Sequence, residues 1–290
     1  MANKKKGIVI AAVVIVAAAV ALTVLMPYIR SGLDGFAAAR FERQDLSGVD
    51  SVRIIADCAK VDGIADSPAG VKESARLGAD GVVVDLCFRE DGTPVICDDY
   101  SLVKEAPVLE ALFKQLNTEG FSELRIYLRI VQLSGLDELN RLASEYNMSG
   151  RLYLTGIDAD RYGMITADDT SVPFLLDYTP TKQDLEDAEN GTAAVPGCVK
   201  EYGAAGVVVP YDAAGEALIS AYNDLGLTVV YSGLSGTTEV CEALLDGAQN
   251  IYVDDARSVR RLLDRWIEKM RERNSSSVEE SINNLSTTVE

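Results

Sequence analysis

Two hydrophobic rhythms alternate along this chain. Short apolar runs rich in Val, Ile, Leu and Tyr recur at Arg53–Asp57, Gly81–Cys87, Arg125–Ile130, Arg151–Thr155, Val172–Asp177, Gly206–Pro210, Thr228–Ser232 and Asn250–Asp254. Near-continuous apolar runs of this length predict parallel strands buried on both faces. Between them, Ala69–Leu77, Leu109–Leu116, Leu136–Tyr146, Gly215–Leu225 and Glu239–Leu245 carry apolar residues at helical spacing. A last helix is predicted from Ala256 to Arg273, with Val259, Leu262, Leu263 and Trp266 on one face and Lys269, Arg271 and Arg273 at its C-terminal end, where the helix dipole favours them. Eight strands alternating with helices predict an α/β fold, a (β/α)8 TIM-type barrel over residues 51–273. The open doubly wound sheet is the weaker alternative, because no G-x-G-x-x-G follows the first strand. One segment breaks the rhythm. Thr93–Asp99 follows the second strand after a Glu-Asp-Gly turn and predicts a hairpin insertion.

The ends read differently. Gly7 to Met26 is a run of 20 uncharged residues, long enough to cross a bilayer as a helix. Lys4, Lys5 and Lys6 precede it, which by the positive-inside rule puts residues 1–6 in the cytoplasm and the body outside it. The rival is a cleaved signal peptide with Ala19-Val20-Ala21 as its processing site, but Leu22 to Met26 continue the apolar run past that point. The expectation is a single-pass protein of the cell membrane, bacterial in style, whose membrane partner is met through residues 7–26. A connector spans 27–50. The Ser/Asn/Thr/Glu-rich stretch 274–290 is expected to be disordered.

Charge and composition narrow the chemistry. The formal net charge is −18, and residues 1–30 contribute Lys4, Lys5, Lys6 and Arg30 with no acid, so the rest carries −18 − 4 = −22. Such a body repels nucleic acid and anionic lipid headgroups. There is no histidine, which removes the commonest general base and neutral metal ligand and excludes Ser-His-Asp and Cys-His nucleophile systems. Five cysteines, Cys58, Cys87, Cys97, Cys198 and Cys241, form no C-x-x-C and leave at least one unpaired.

Asp57, Asp85, Asp177 and Asp254 fall at the predicted strand ends, where barrels of this type place their active face. Paired carboxylates there could hydrolyse glycosides, form an acidic mouth for a cation or cationic ligand, or cap the following turns and helices. Arg129 could anchor an anion or neutralise these aspartates. Tyr127, Tyr153, Tyr231 and Tyr252 punctuate the strands and read as barrel packing more than as a ligand platform.

Ala65-Asp66-Ser67, a helix, and then LGADGVVVDLCFREDGTPVICDD (Leu77–Asp99) resemble the signature of the glycerophosphodiester phosphodiesterases. That family has His-Arg-Gly at the end of its first strand and Glu-Asn-Thr before its first helix. It continues with Gly-Ala-Asp, Glu-x-Asp, a Lys-Asp-Gly turn and Pro-Val-x-x-His-Asp. Ala106–Leu112, Thr155–Asp158, Gly226–Gly233 and Asp246–Ala256 are similar to later family segments, so the resemblance covers roughly residues 50–265. It implies the TIM-barrel fold, a calcium or magnesium ion, and hydrolysis of phosphodiesters in lipid metabolism.

Carried over position by position, the resemblance also implies a loss. The first catalytic histidine falls on Asp57, the phosphate-binding arginine on Cys58 and the metal-binding Glu of Glu-Asn-Thr on Ala65. The Glu of Glu-x-Asp falls on Val83, and only its aspartate is kept, as Asp85. The second histidine falls on Cys97, and the third-strand Glu-x-Lys becomes Tyr127 and Arg129. Asp85 alone cannot hold a hard cation, and no imidazole remains to protonate the leaving alkoxide. The expectation is therefore a pseudoenzyme without a cofactor, with Asp57, Cys58, Asp85, Arg129, Asp177 and Asp254 as binding candidates. A residual phosphoric diester hydrolase, or another hydrolase run by the strand-end aspartates, is the alternative. Cys58 and Cys97 would face the same phosphate in the resemblance, which suggests a disulfide outside the reducing cytosol.

Overall fold

The computed structural model of the protein describes residues 49–57, 67–132, 136–166 and 169–287, with side chains through 273. The apolar run 7–26, residues 1–6 and most of the connector lie outside the described residues, as do Cys58 and Ala65. Among the described residues no helix is long and apolar enough to cross a membrane.

Each predicted strand is present: β1 (Arg53–Ala56), β2 (Gly81–Phe88), β4 (Arg125–Ile130), β5 (Leu152–Ile157), β6 (Phe174–Asp177), β7 (Gly206–Pro210), β8 (Thr228–Leu234) and β9 (Asn250–Val253). The extra β3 (Pro94–Ile96) pairs antiparallel with β2, with Leu86 opposite Ile96 and Phe88 opposite Pro94. This is the expected hairpin. All other pairings are parallel, and the order β1-β9-β8-β7-β6-β5-β4-β2 closes through a direct β1–β2 pairing. The closed eight-stranded parallel barrel follows from the apolar runs: all eight residues of β2 are buried, so the strand needs cover on both faces. Close approach sets one residue type. A Cβ on Gly206 would stand 2.0 Å from the Thr228 carbonyl oxygen, so only glycine lets β7 lie this near β8.

Helices α1 (Pro68–Arg76), α2 (Leu109–Thr118), α3 (Asp137–Glu145), α6 (Glu216–Asp224), α7 (Thr237–Leu245) and α8 (Ala256–Thr287) match the helical periodicities. Two short helices, α4 (Lys182–Glu189) and α5 (Gly197–Tyr202), were not expected. They bury only Ala188 and Val199 respectively, so an apolar stripe could not reveal them. In α8 the expected face is buried: Val259, Leu262, Leu263 and Trp266 are all 6% exposed or less. Beneath the barrel, Arg260 of α8 donates to Gly78 O at 2.9 Å and to Asp80 Oδ2 at 2.6 Å, tying the last helix to the loop before β2.

The expected disorder of 274–290 is corrected in one respect. The backbone of α8 stays helical to Thr287. Val278, Ile282 and Leu285 recur at helical spacing, and extending an established helix avoids the cost of nucleating one.

Candidate functional site

The C-terminal ends of the strands surround a cavity of about 730 Å³. Its lining includes Asp57 just beyond β1, Arg129 of β4, Thr155 of β5, Asp177 of β6, Ser232 of β8 and Tyr252 of β9. Beneath it, Ile55, Val83, Tyr127, Leu175, Val208, Val230 and Tyr252 form an apolar layer, with Tyr153 stacked on Tyr127 at 5.2 Å between ring centroids.

Arg129 organises the mouth. The parallel register of β2 and β4 sets it opposite Asp85. Its Nε donates to Asp85 Oδ1 at 2.5 Å and its Nη2 to Asp85 Oδ2 at 3.0 Å, a two-pronged charge-assisted contact. Its Nη1 donates to Asp57 Oδ1 at 3.1 Å. One guanidinium thus joins the carboxylates of Asp57 and Asp85. Gly156 makes room for it. Its φ is +74°, and a Cβ there would lie 2.8 Å from Arg129 Cγ. Tyr127 carries its hydroxyl toward Arg125, away from the mouth.

Asp177 sits half-buried on the opposite side. Burial raises its carboxyl above the usual range, and the nearby negative charge of Asp158 adds to the effect. The Tyr162 hydroxyl donates to the Asp177 backbone carbonyl at 2.5 Å, fastening the loop after β5 to the end of β6. Arg161 in the same loop donates to Ile130 O at 2.7 Å and Gly156 O at 3.2 Å, and its Nε is 3.9 Å from Asp158.

Two sequence candidates leave the site. Asp254, one residue past β9, is exposed and does not line the cavity; the inward residue of that strand end is Tyr252. Cys97 is turned away from the cavity into a small cluster with Cys87, Val95, Val103 and Ala106. Its Sγ donates to Asp99 O at 2.8 Å, and Cys58, the expected disulfide partner, lies outside the described residues. Cys87 beside it donates to Cys97 O at 3.3 Å, and burial pushes its thiol up to about 12.

Other residues join that sequence reasoning did not select: Thr155, Asp158, Tyr162, Tyr178, Cys198 and Ser232. Tyr252, read as packing, both packs in the apolar layer and lines the cavity. Several come from loops and short helices between strands, where spacing carries no signal. Alternation was the available signal for Thr155 and Ser232, which stand two residues beyond the inward-facing Tyr153 and Val230. The Thr155 and Tyr252 hydroxyls adjoin one another, yet neither meets a partner at hydrogen-bonding geometry.

No family model matches the chain, and no curated protein does either. Solved structures do match. One is a glycerophosphodiester phosphodiesterase from Parabacteroides distasonis, 15% identical, with 74% of this chain and 97% of that one covered at a TM-score of 0.57. Another is a glycerophosphodiester phosphodiesterase from Agrobacterium tumefaciens, 12% identical, with 75% and 99% covered at 0.56. A third is a phosphodiesterase from Oleispira antarctica in complex with its product sn-glycerol-3-phosphate, 14% identical, with 73% and 96% covered at 0.54. In fold, this chain is a TIM barrel of the kind found in the solved glycerophosphodiester phosphodiesterases.

Proposed function

We propose that this protein is a phosphodiesterase-like barrel that has given up hydrolysis and uses its mouth to bind a ligand. One observation carries the reading: the Arg129 guanidinium occupies both oxygens of Asp85 and reaches Asp57. A divalent cation does not fit these residues. It needs several oxygen ligands, and the only carboxylate kept at a family metal position already faces a fixed positive charge. Val83 and Tyr127, where the family has carboxylates, lie in the apolar layer beneath. With no histidine in the chain, nothing supplies the imidazole acid that the leaving alkoxide requires. The apolar run 7–26 and its three lysines support a membrane anchor, with the barrel on the extracytoplasmic side.

The test is a panel of glycerophosphodiesters offered to the purified protein with calcium or magnesium. The expected result is no turnover above background. Metal-dependent hydrolysis of glycerophosphocholine that disappears in Asp85→Ala would overturn the reading.

A second reading has one observation in its favour. Asp57 and Asp177 line the same cavity, and Asp177 holds its proton more tightly than an ordinary carboxyl. A raised carboxyl sharing a cavity with a second carboxyl side chain suits general acid catalysis in hydrolysis without a metal. Hydrolysis of a glycoside panel, abolished by Asp177→Asn, would establish it.

A further inference from the structure

Two cysteines meet across the inserted hairpin. In the antiparallel pairing Cys87 of β2 stands opposite Val95 of β3. Cys97 follows two residues on and donates its backbone N–H to Asp85 O at 3.0 Å. The strand period sends Cys87, Val95 and Cys97 to one face of the hairpin, where they cluster with Val103 and Ala106. The Cys87 thiol donates to Cys97 O at 3.3 Å and also lies within hydrogen-bonding reach of the Cys97 thiol. Diagonal neighbours across a strand pair stand near the outer limit of a disulfide's Cα span. Here the thiols themselves meet, which closes that gap.

The surroundings favour this pairing over others. Cys198 lines the mouth cavity and Cys241 is buried within α7, both on other elements of the barrel. Arg89 of the same hairpin donates to Val103 O at 3.2 Å and Ala106 O at 2.9 Å, fastening the segment that covers the two sulfurs. Cys87 is 0% exposed and Cys97 5%. An oxidant therefore reaches them before the hairpin closes during folding, or when the segment 98–106 opens. Burial pushes the Cys87 thiol up to about 12, which leaves little thiolate once the fold is complete. The state that folding traps is then the state that persists.

We infer that Cys87 and Cys97 are a thiol–disulfide pair: two thiols where the chain is kept reduced, and where it is not, a disulfide that braces the hairpin beside Asp85. This gives Cys97 a different partner from Cys58, the one the resemblance suggested. The chemistry is exchange with a donor disulfide, such as oxidised glutathione or a protein disulfide. One cysteine thiolate attacks the donor's S–S bond, releasing one thiolate and leaving a mixed disulfide. The second cysteine thiolate displaces the other half. The new S–S bond forms, the donor is reduced to two thiols, and the two cysteine protons pass to them. The brace bears on the mouth because Cys97 holds the backbone of Asp85, whose carboxylate Arg129 grips.

The experiment unfolds the full-length protein in urea and refolds it in detergent, in reduced or in oxidised glutathione. Remaining thiols are alkylated and the peptides mapped by mass spectrometry. The expected product in oxidised glutathione is a cross-linked peptide joining Cys87 to Cys97, with both alkylated in the reduced sample. The cysteines are 97 − 87 = 10 residues apart. On the chain-entropy model, closing so short a loop should raise Tm by about 5–10 °C over the reduced form. Cys87→Ala and Cys97→Ala should each abolish the difference between the two buffers, and Cys241→Ala should keep it. The inference is overturned by free alkylation of both thiols after oxidised refolding, by a bridge from Cys97 to another cysteine, or by an oxidised form that melts no higher than the reduced one.

Discussion

The inside of the barrel carries two adjacent layers of side chains from the same strands, two residues apart. In the deeper layer Ile55, Val83, Tyr127 and Leu175 pack against one another. Their counterparts toward the mouth are Asp57, Asp85, Arg129 and Asp177. The alternation is the strand period, so each pair shares a strand and differs only in depth. The deeper layer is held by burial of apolar surface and aromatic contacts, including Tyr127 edge-on to Tyr252 at 5.9 Å. The outer layer is held by one guanidinium between two carboxylates. In the family the sequence resembles, the positions of Val83 and Tyr127 would hold metal-binding carboxylates. Here the apolar floor rises to meet the mouth, and the charge that remains is balanced by a side chain.

The strongest way to break this contrast is to put a charge back into the floor. Val83 is 1% exposed, with no cationic side chain in its layer. Val83→Glu should destabilise by about 3–5 kcal/mol at pH 7, the range for an uncompensated buried charge. A buried carboxyl has its folded pKa raised above the unfolded value. The penalty is therefore absent below the unfolded pKa and grows as pH rises through it. Urea unfolding at pH 7 and pH 4 measures both parts, and equal losses at the two pH values would show overpacking instead of charge burial.

Removing the cation from the mouth should be the next largest effect. Asp85 is 5% exposed, so Arg129→Met strands a buried carboxylate. The Arg129 side chain is itself 36% exposed, which lets water reach the pair and puts the expected loss near the low end for a buried pair, about 3 kcal/mol. The double variant Arg129→Met with Asp85→Leu should recover most of the loss, because both partners are then gone. A single variant as stable as the parent would mean that Asp85 has other support and that the guanidinium does not hold the outer layer.

The sequence revealed the two layers unequally. The eight strands and the inserted hairpin were legible because each buried run is apolar and bounded by turns. The deeper layer was legible with them. Helix α4 has no apolar stripe to show it; what marks its start is a capping box of Thr181 and Asp184, a Thr-x-x-Asp signal that periodicity does not read. At the mouth, Asp85 and Arg129 could be placed together because they sit on neighbouring strands in register, and Asp57 could join them because it ends the next strand over. Asp158 and Tyr162 could not: Asp158 sits just past the end of β5, and Tyr162 comes in on a short 3-10 turn over Tyr162–Met164 in the loop that follows. Asp254 fits the alternation and still misses the cavity, whereas Asp57, equally one residue past its strand, lines it and meets Arg129.

The smallest expected effect separates the two halves of the mouth itself. Asp57 and Asp85 face Arg129, whereas Asp177 makes no salt bridge among the described residues and the neighbouring charge that acts on it most is that of Asp158. The groups acting on it are its own burial, then Asp158 raising its pKa, with the Gly156 backbone, Arg129 and Arg161 opposing. The folded pKa lies above the unfolded one, so between the two values the native state holds more protons than the unfolded chain. Stability therefore falls as pH rises through that window and stays lower above it. Asp177→Asn removes this dependence. It should stabilise the ligand-free protein slightly at pH 7 and not at all near pH 3, where the native aspartate is already protonated. The gain should stay below the about 2–4 °C in Tm that 1 kcal/mol produces in a domain of this size. A residue whose removal stabilises the protein is kept there at a cost to stability, as functional groups are and structural ones are not. Thermal melts of the parent and the variant across that pH range decide it. A loss of stability in Asp177→Asn at pH 7 would mean that Asp177 is held by its neighbours after all, and that the two halves of the mouth are built alike.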